Sequence, residues 1–112
     1  MSRSASPAKP YLLLSTVPSL KEAKLIADAL ISKRLAACVN IIPEVHSFFR
    51  WKAAVDQTQE LLLVIKTDKR FLKRLEKIIR KHHSYDVPEM IGWPIVWGHK
   101  PYMNWLRDSI SD

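Results

Sequence analysis

Five side chains able to hold a metal crowd into one short stretch of this sequence: His82, His83, Tyr85, Asp86 and Glu89. Imidazole nitrogen suits copper(II), zinc and nickel, and carboxylate oxygen can complete a tetragonal or mixed coordination set. The spacing follows no zinc signature, and neighbouring histidines on a helix point in different directions, so the stretch supplies donors without fixing their geometry. Each donor also has a structural reading. His82 falls on an apolar helical stripe, where it would pack, while His83 at the helix end would meet exposed carbonyls and the negative end of the dipole. Glu89, directly after Pro88, reads as a ligand or as the ion-pair partner of a lysine such as Lys66. Cys38 is a soft ligand when deprotonated and otherwise a small buried hydrophobe at a strand start. His83, Cys38 and Glu89 are the candidate metal ligands, each with its structural alternative open and the ion pair favoured for Glu89; His46 and His99 have no partner in sequence and receive no role.

The elements that must position these groups can be read from periodicity and punctuation. Tyr11 to Thr16 is a short apolar run that stops at Val17-Pro18, as a strand does where proline removes a donor. Ser19 and Glu22 form a capping box, and Ala23, Ile26, Ala27, Leu30 and Ile31 give one apolar helical stripe through to about Leu35. Ala37 to Trp51 reads as a long second strand kinked or bulged at Pro43, and Gln59 to Thr67 as a third, with Asp56 and Gln57 as turn residues between them. The short connection makes these two an antiparallel hairpin. A helix from about Asp68 to His82 follows, with Thr67 or Asp68 as cap and a basic outer face. Met90 to Val96 is a fourth strand, and Pro101 opens a short closing helix carrying Tyr102, Trp105, Leu106 and Ser109.

The order β-α-β-β-α-β with a tail helix predicts an α+β fold, the ferredoxin-like sandwich with an extra C-terminal helix. Residues 1–9 are expected to be a loose tail and 10–112 the single domain. Both helices would lie on one sheet face, leaving the other bare. Trp51, Trp93, Trp97 and Trp105 with Phe48, Phe49 and Tyr102 are more aromatic surface than two helices can hide, which predicts self-association.

A chain of 112 residues, 47% hydrophobic and 26% charged, has globular composition and fills one core. Its longest apolar runs are far short of the roughly 20 residues needed to cross a bilayer, so no membrane insertion is expected. One cysteine excludes an internal disulfide and fits a reducing compartment, the cytoplasm by default. The net charge of +7 attracts anions of any kind, yet much of it lies on the outer face of the second helix. Nucleic-acid recognition through the sheet is not expected, because the central strand Leu61 to Ile65 lacks a stacking ring and the chain has only two glycines. Nor is an enzyme expected. Strand one is followed by no glycine-rich loop, and no nucleophile stands beside a base in sequence.

Several separate segments resemble one family: Lys33-Arg34-Leu35-Ala36-Ala37-Cys38-Val39-Asn40, then Trp51-Lys52, Lys66-Thr67, His83-Ser84-Tyr85-Asp86-Val87-Pro88-Glu89, and Pro101-Tyr102-Met103-Asn104-Trp105-Leu106. In this order they are similar to the CutA divalent-cation tolerance proteins, ferredoxin-like trimers related in architecture to PII signalling proteins. The resemblance implies a cytoplasmic homotrimer that binds a divalent metal ion, copper(II), with no cofactor required for folding and no catalytic activity. His83 is the histidine that matches the family motif. The resemblance also places Cys38 beside an intersubunit cleft with Trp51, Lys66, Tyr85 and Trp105, a surface where a PII-like sensor or scaffold would bind a small molecule or an unknown protein partner. Where many relatives have Thr-Cys-Pro after strand one, this chain has Thr16-Val17-Pro18, which removes a second thiol. The hairpin turn carries Ala53 and Ala54 where glycine is common.

Overall fold

The computed structural model describes residues 9–110. Strand β1 (Pro10–Val17) leads through Pro18 into helix α1 (Leu20–Ser32); β2 (Cys38–Trp51) and β3 (Ala54–Asp68) form a long hairpin. A 3-10 turn (Lys69–Phe71) opens helix α2 (Leu72–His82), and β4 (Ile91–Pro94) and helix α3 (Lys100–Ser109) complete the chain. The strands lie in the order β2-β3-β1-β4, every neighbouring pair antiparallel. Two β-α-β crossovers threaded through this order give the expected ferredoxin-like sandwich. The expected tail falls outside the described residues except for Lys9, whose amide donates to Asp68 Oδ2 at 2.9 Å and whose carbonyl accepts from Lys69 N.

Alternation along the strands sorts the sheet into two faces. Leu13, Val17, Leu63 and Ile65 are buried under α1 and α2, where they meet Ala23, Ile26, Leu30, Phe71, Leu75 and Ile79 in one core. Val39, Ile41 and Leu61 pack against that core from the same side. Gly92 lies opposite Leu13, and a Cβ there would come within 2.5 Å of Leu12 O, so the close approach of β4 to β1 requires glycine. The other face carries cross-strand rows. Cys38, Lys66, Leu12 and Trp93 are register partners in one row, and Asn40, Val64, Leu14 and Ile91 in the next. Neither helix covers these rows, and Trp93 remains 47% exposed.

Local chemistry explains where the elements begin and end, and where they depart from expectation. Ser19 Oγ accepts from Glu22 N at 3.2 Å, so α1 is capped as expected, but it ends at Ser32 because Arg34 turns the chain with φ 58°. Ile31, expected on the buried stripe, is exposed. Pro43 sits in the β2 bulge between Ile42 and Val45, with Glu44 at φ 61°. The hairpin turn is Lys52-Ala53, both at positive φ, rather than Asp56-Gln57. Two such residues have the twist that joins antiparallel strands directly, and β3 consequently starts at Ala54. Asp68 caps the 3-10 turn that opens α2, accepting from Arg70 N at 2.9 Å. The fourth strand is shorter than expected, Ile91–Pro94, and of the line predicted along α3 only Leu106 is buried; Tyr102 and Trp105 are exposed.

Beyond Val17 the hairpin continues without β1 as a two-stranded ribbon, and the molecule measures 53 × 26 × 22 Å. Its residues are polar or exposed on both faces, Phe48 at 69% and Val55 at 68%. An isolated ribbon of this kind is marginally stable at best in water.

Candidate functional site

Two polar clusters stand at opposite ends of the three-stranded part of the sheet. At the C-terminal end of β3, Lys66 Nζ donates to Asn40 Oδ1 and lies 3.9 Å from Cys38 Sγ, which in turn lies 3.8 Å from Asn40 Oδ1. The three residues share the bare face because Cys38 is the register partner of Lys66 and Asn40 follows two positions later. Tyr102 of α3 reaches the same corner: burial, and secondarily the charge of Cys38, push its hydroxyl above the ordinary tyrosine value. The corner itself is built by Thr67, whose hydroxyl donates to Leu35 O at 2.6 Å, and by Arg34 Nη2, which donates to Asp108 O and ties α3 to the end of α1.

The second cluster is assembled where β1 ends. His83, the C-cap residue of α2, is 8% exposed, and its Nε2 lies 2.7 Å from Thr16 O. A carbonyl can only accept, so Nε2 carries the proton and Nδ1 is left to accept from Tyr85 N at 3.1 Å. Glu22 Oε1 approaches that nitrogen at 4.0 Å, and the same carboxylate accepts from Ser84 N at 2.9 Å and Ser84 Oγ at 3.0 Å. The Tyr85 ring lies 4.8 Å from the imidazole, tilted 48° to it, and the Tyr85 hydroxyl donates to Glu60 Oε2 at 2.8 Å. Burial, then the Glu60 hydrogen bond, then the charges of Glu60 and Glu22 push the Tyr85 hydroxyl up to about 12. Beside Glu60, between the start of α1 and the β2 bulge, lies a shallow groove of about 630 Å³ walled by Pro18, Leu20, Ile41, Pro43 and Leu61.

The expected metal donors are therefore distributed, not gathered. His83 has both ring nitrogens engaged within the chain; Cys38 lies at the other cluster; Glu89 is exposed on the loop before β4. Lys66 bonds Asn40 and Cys38, and the expected Lys66–Glu89 ion pair does not form. Among the described residues no three His, Cys, Asp or Glu side chains converge on a point. Of the four cleft residues, Lys66 is at the thiol corner, Tyr85 in the His83 cluster, Trp105 on the exposed side of α3 and Trp51 at the ribbon tip. Twelve positions of extended strand separate Ala54, the partner of Trp51, from Lys66, roughly 40 Å. Sequence reasoning missed Asn40, Glu22 as the anchor of Ser84, and Glu60. The last had a signal, a lone carboxylate at the head of the apolar run Leu61 to Ile65.

Fold and site together define a ferredoxin-like α+β protein with one sheet face covered by α1 and α2, a second face that these helices leave bare, and polar clusters at two ends of the sheet. The family model of the CutA1 divalent ion tolerance protein matches residues 11–109, and the chain belongs to that family. It is 44% identical over 98 residues to the divalent-cation tolerance protein CutA of Thermus thermophilus, covering 88% of this chain and 95% of the relative. It is 42% identical to protein CutA of Homo sapiens over 87% of this chain, but spans only 56% of that protein's length. A solved structure of the Thermus thermophilus protein superimposes with a TM-score of 0.88, covering 91% of this chain and 99% of the other. Among the described residues no helix is long and apolar enough to cross a membrane.

Proposed function

We propose that the chain acts in divalent-cation tolerance as a cytoplasmic homotrimer that binds copper(II) without catalysing a reaction, its donor set drawn from more than one copy. The name shared by the family and the Thermus relative supplies the cation class. The observation that carries the assembly is the uncovered sheet face, where Leu12, Leu14, Val64, Ile91 and Trp93 lie in adjacent rows. Such a face, continued by a two-stranded ribbon, loses its exposed area only against further copies. Self-association would also bring the Trp51 ribbon tip of one copy toward another copy's Lys66 corner, which no single copy can do. Cys38 is the soft donor at that corner, and a thiolate favours copper over hard cations.

Sedimentation velocity at micromolar concentration should give a mass of three chains, and Trp93→Glu should reduce it. A competitive titration should show copper(II) bound more tightly than zinc, with binding lost in Cys38→Ser. A mass of one chain, or copper affinity unmoved by Cys38→Ser, would overturn the respective half of the proposal.

A second reading has one specific observation in its favour. The Glu60 carboxylate is 6% exposed, has one oxygen on Tyr85, and borders the groove beside α1. A PII-like sensor or scaffold that takes a small molecule or protein segment there would show ligand-dependent changes in Tyr85 fluorescence or reactivity and no metal dependence.

A further inference from the structure

The helix layer presents a second, oppositely directed surface that the cation reading does not use. Lys73, Arg74, Lys77, Arg80 and Lys81 of α2 are all exposed, and none forms an ion pair among the described residues. At 100° per residue they fall within an arc of roughly 120°, extending about 12 Å along the helix. Glu76, the one acidic residue of α2, stands just outside that arc. Phe71, Leu75 and Ile79 on the opposite side anchor the helix to the core, so the cationic arc is held pointing away from the sheet. Lys69 of the 3-10 turn extends it. Most of the chain's excess of +7 is gathered here. The layer lies on the other side of the sheet from the bare face, so assembly through that face leaves it uncovered.

We propose that this helix layer is a peripheral docking surface for a membrane bearing acidic phospholipid headgroups. Three features favour a lipid surface over nucleic acid. The α2 helix packs beside α1, which makes a broad two-helix layer; a lone protruding helix would be needed to enter a groove about 12 Å wide. Phe71, the aromatic ring of the 3-10 turn that opens α2, is buried, so the basic arc offers no ring on which a base could stack. Helix α1, packed against α2, exposes Leu25 and Ile31, apolar side chains of the kind that settle at the headgroup boundary while lysine and arginine pair with phosphate. Each basic residue adds to attraction toward an anionic leaflet, and the sum weakens with salt.

The test is flotation of the full chain with vesicles of phosphatidylcholine alone or with a third phosphatidylglycerol, at low and physiological salt. Binding is expected only to the acidic vesicles, falling as salt rises. Combined Lys73→Glu, Lys77→Glu, Arg80→Glu and Lys81→Glu should weaken it at least about tenfold. The control, Lys9→Glu, Arg50→Glu, Lys52→Glu and Lys100→Glu, makes the same change in net charge on exposed residues elsewhere and should keep most of the binding. Circular dichroism establishes that both variants are folded. Absence of flotation at low salt, equal loss in the control, or displacement by duplex DNA at equal phosphate concentration would each overturn the proposal.

Discussion

Lys66 and Glu60 stand six residues apart on β3, roughly 20 Å along one strand, yet their surroundings are built in opposite ways. Glu60 receives the Tyr85 hydroxyl, Tyr85 rests on His83, and His83 is held by Thr16 O and faced by Glu22, so this end is closed by bonds within the chain. Among the described residues Lys66 bonds the Asn40 amide oxygen and the Cys38 sulfur, on the sheet face that neither α1 nor α2 covers. Among the described residues it meets no carboxylate, and a lysine so placed on an apolar face is a group prepared for a partner outside its own chain. The histidine that looks most like a ligand in sequence thus has both ring nitrogens engaged within the chain, and the thiol corner is the more open end.

The largest effect should come from breaking the closed end. His83→Ala removes the donor to Thr16 O and the acceptor for Tyr85 N and leaves a void beneath the Tyr85 ring. A cost of about 2 to 3 kcal/mol is expected, read as a shift in denaturant midpoint at fixed protein concentration. Cys38→Ser at the open end should cost about 0.5 kcal/mol or less by the same measurement. Equal losses at the two ends would erase the distinction between them.

A smaller effect sharpens it. Tyr85→Phe deletes the hydroxyl bond to Glu60, worth about 1 kcal/mol at this partly exposed position. Burial and the Glu60 bond raise the folded-state value of Tyr85 from 10.0 to about 12, so its contribution is whole below pH 10 and is lost as pH rises through about 12. The stability difference between the natural chain and Tyr85→Phe should therefore be constant through neutral pH and shrink across that alkaline window. A difference that stays constant to pH 12 would mean the hydroxyl bond contributes nothing in solution.

The fold was legible because its signals are local and redundant: Pro18 ends a strand, Ser19 and Asp68 cap helices, Pro43 marks a bulge. The turn was not. Asp56 and Gln57 look like turn residues because the ribbon around them is exposed on both faces and shows no alternation, while Lys52 and Ala53 adopt positive φ without the usual glycine or asparagine. In the site, His83, Lys66, Cys38 and Tyr85 were each recognisable by type. Which would meet was not, since it depends on register: pairing Cys38 with Lys66 and Thr16 with Leu62 sends the thiol and the imidazole to different ends of the sheet. Glu22 was visible only as a cap, although its carboxylate turns to Ser84, 62 residues away.

The smallest perturbation tests the open end through the thiol itself. Cys38 lies in the same cross-strand row as Leu12 and Trp93, on the face through which copies are proposed to join, and in a single chain its sulfur is only partly buried. Alkylation by a small neutral reagent should therefore slow as protein concentration rises and the face is covered, and Trp93→Glu should restore fast modification at every concentration. Neutral reagent matters, because Lys66 beside the sulfur would draw an anionic one by charge alone. A rate that is fast, concentration-independent and the same in both proteins would place the thiol corner on a free surface. The Lys66 ammonium would then have no partner chain to meet, and the openness of this end of β3 would need a small ligand to explain it.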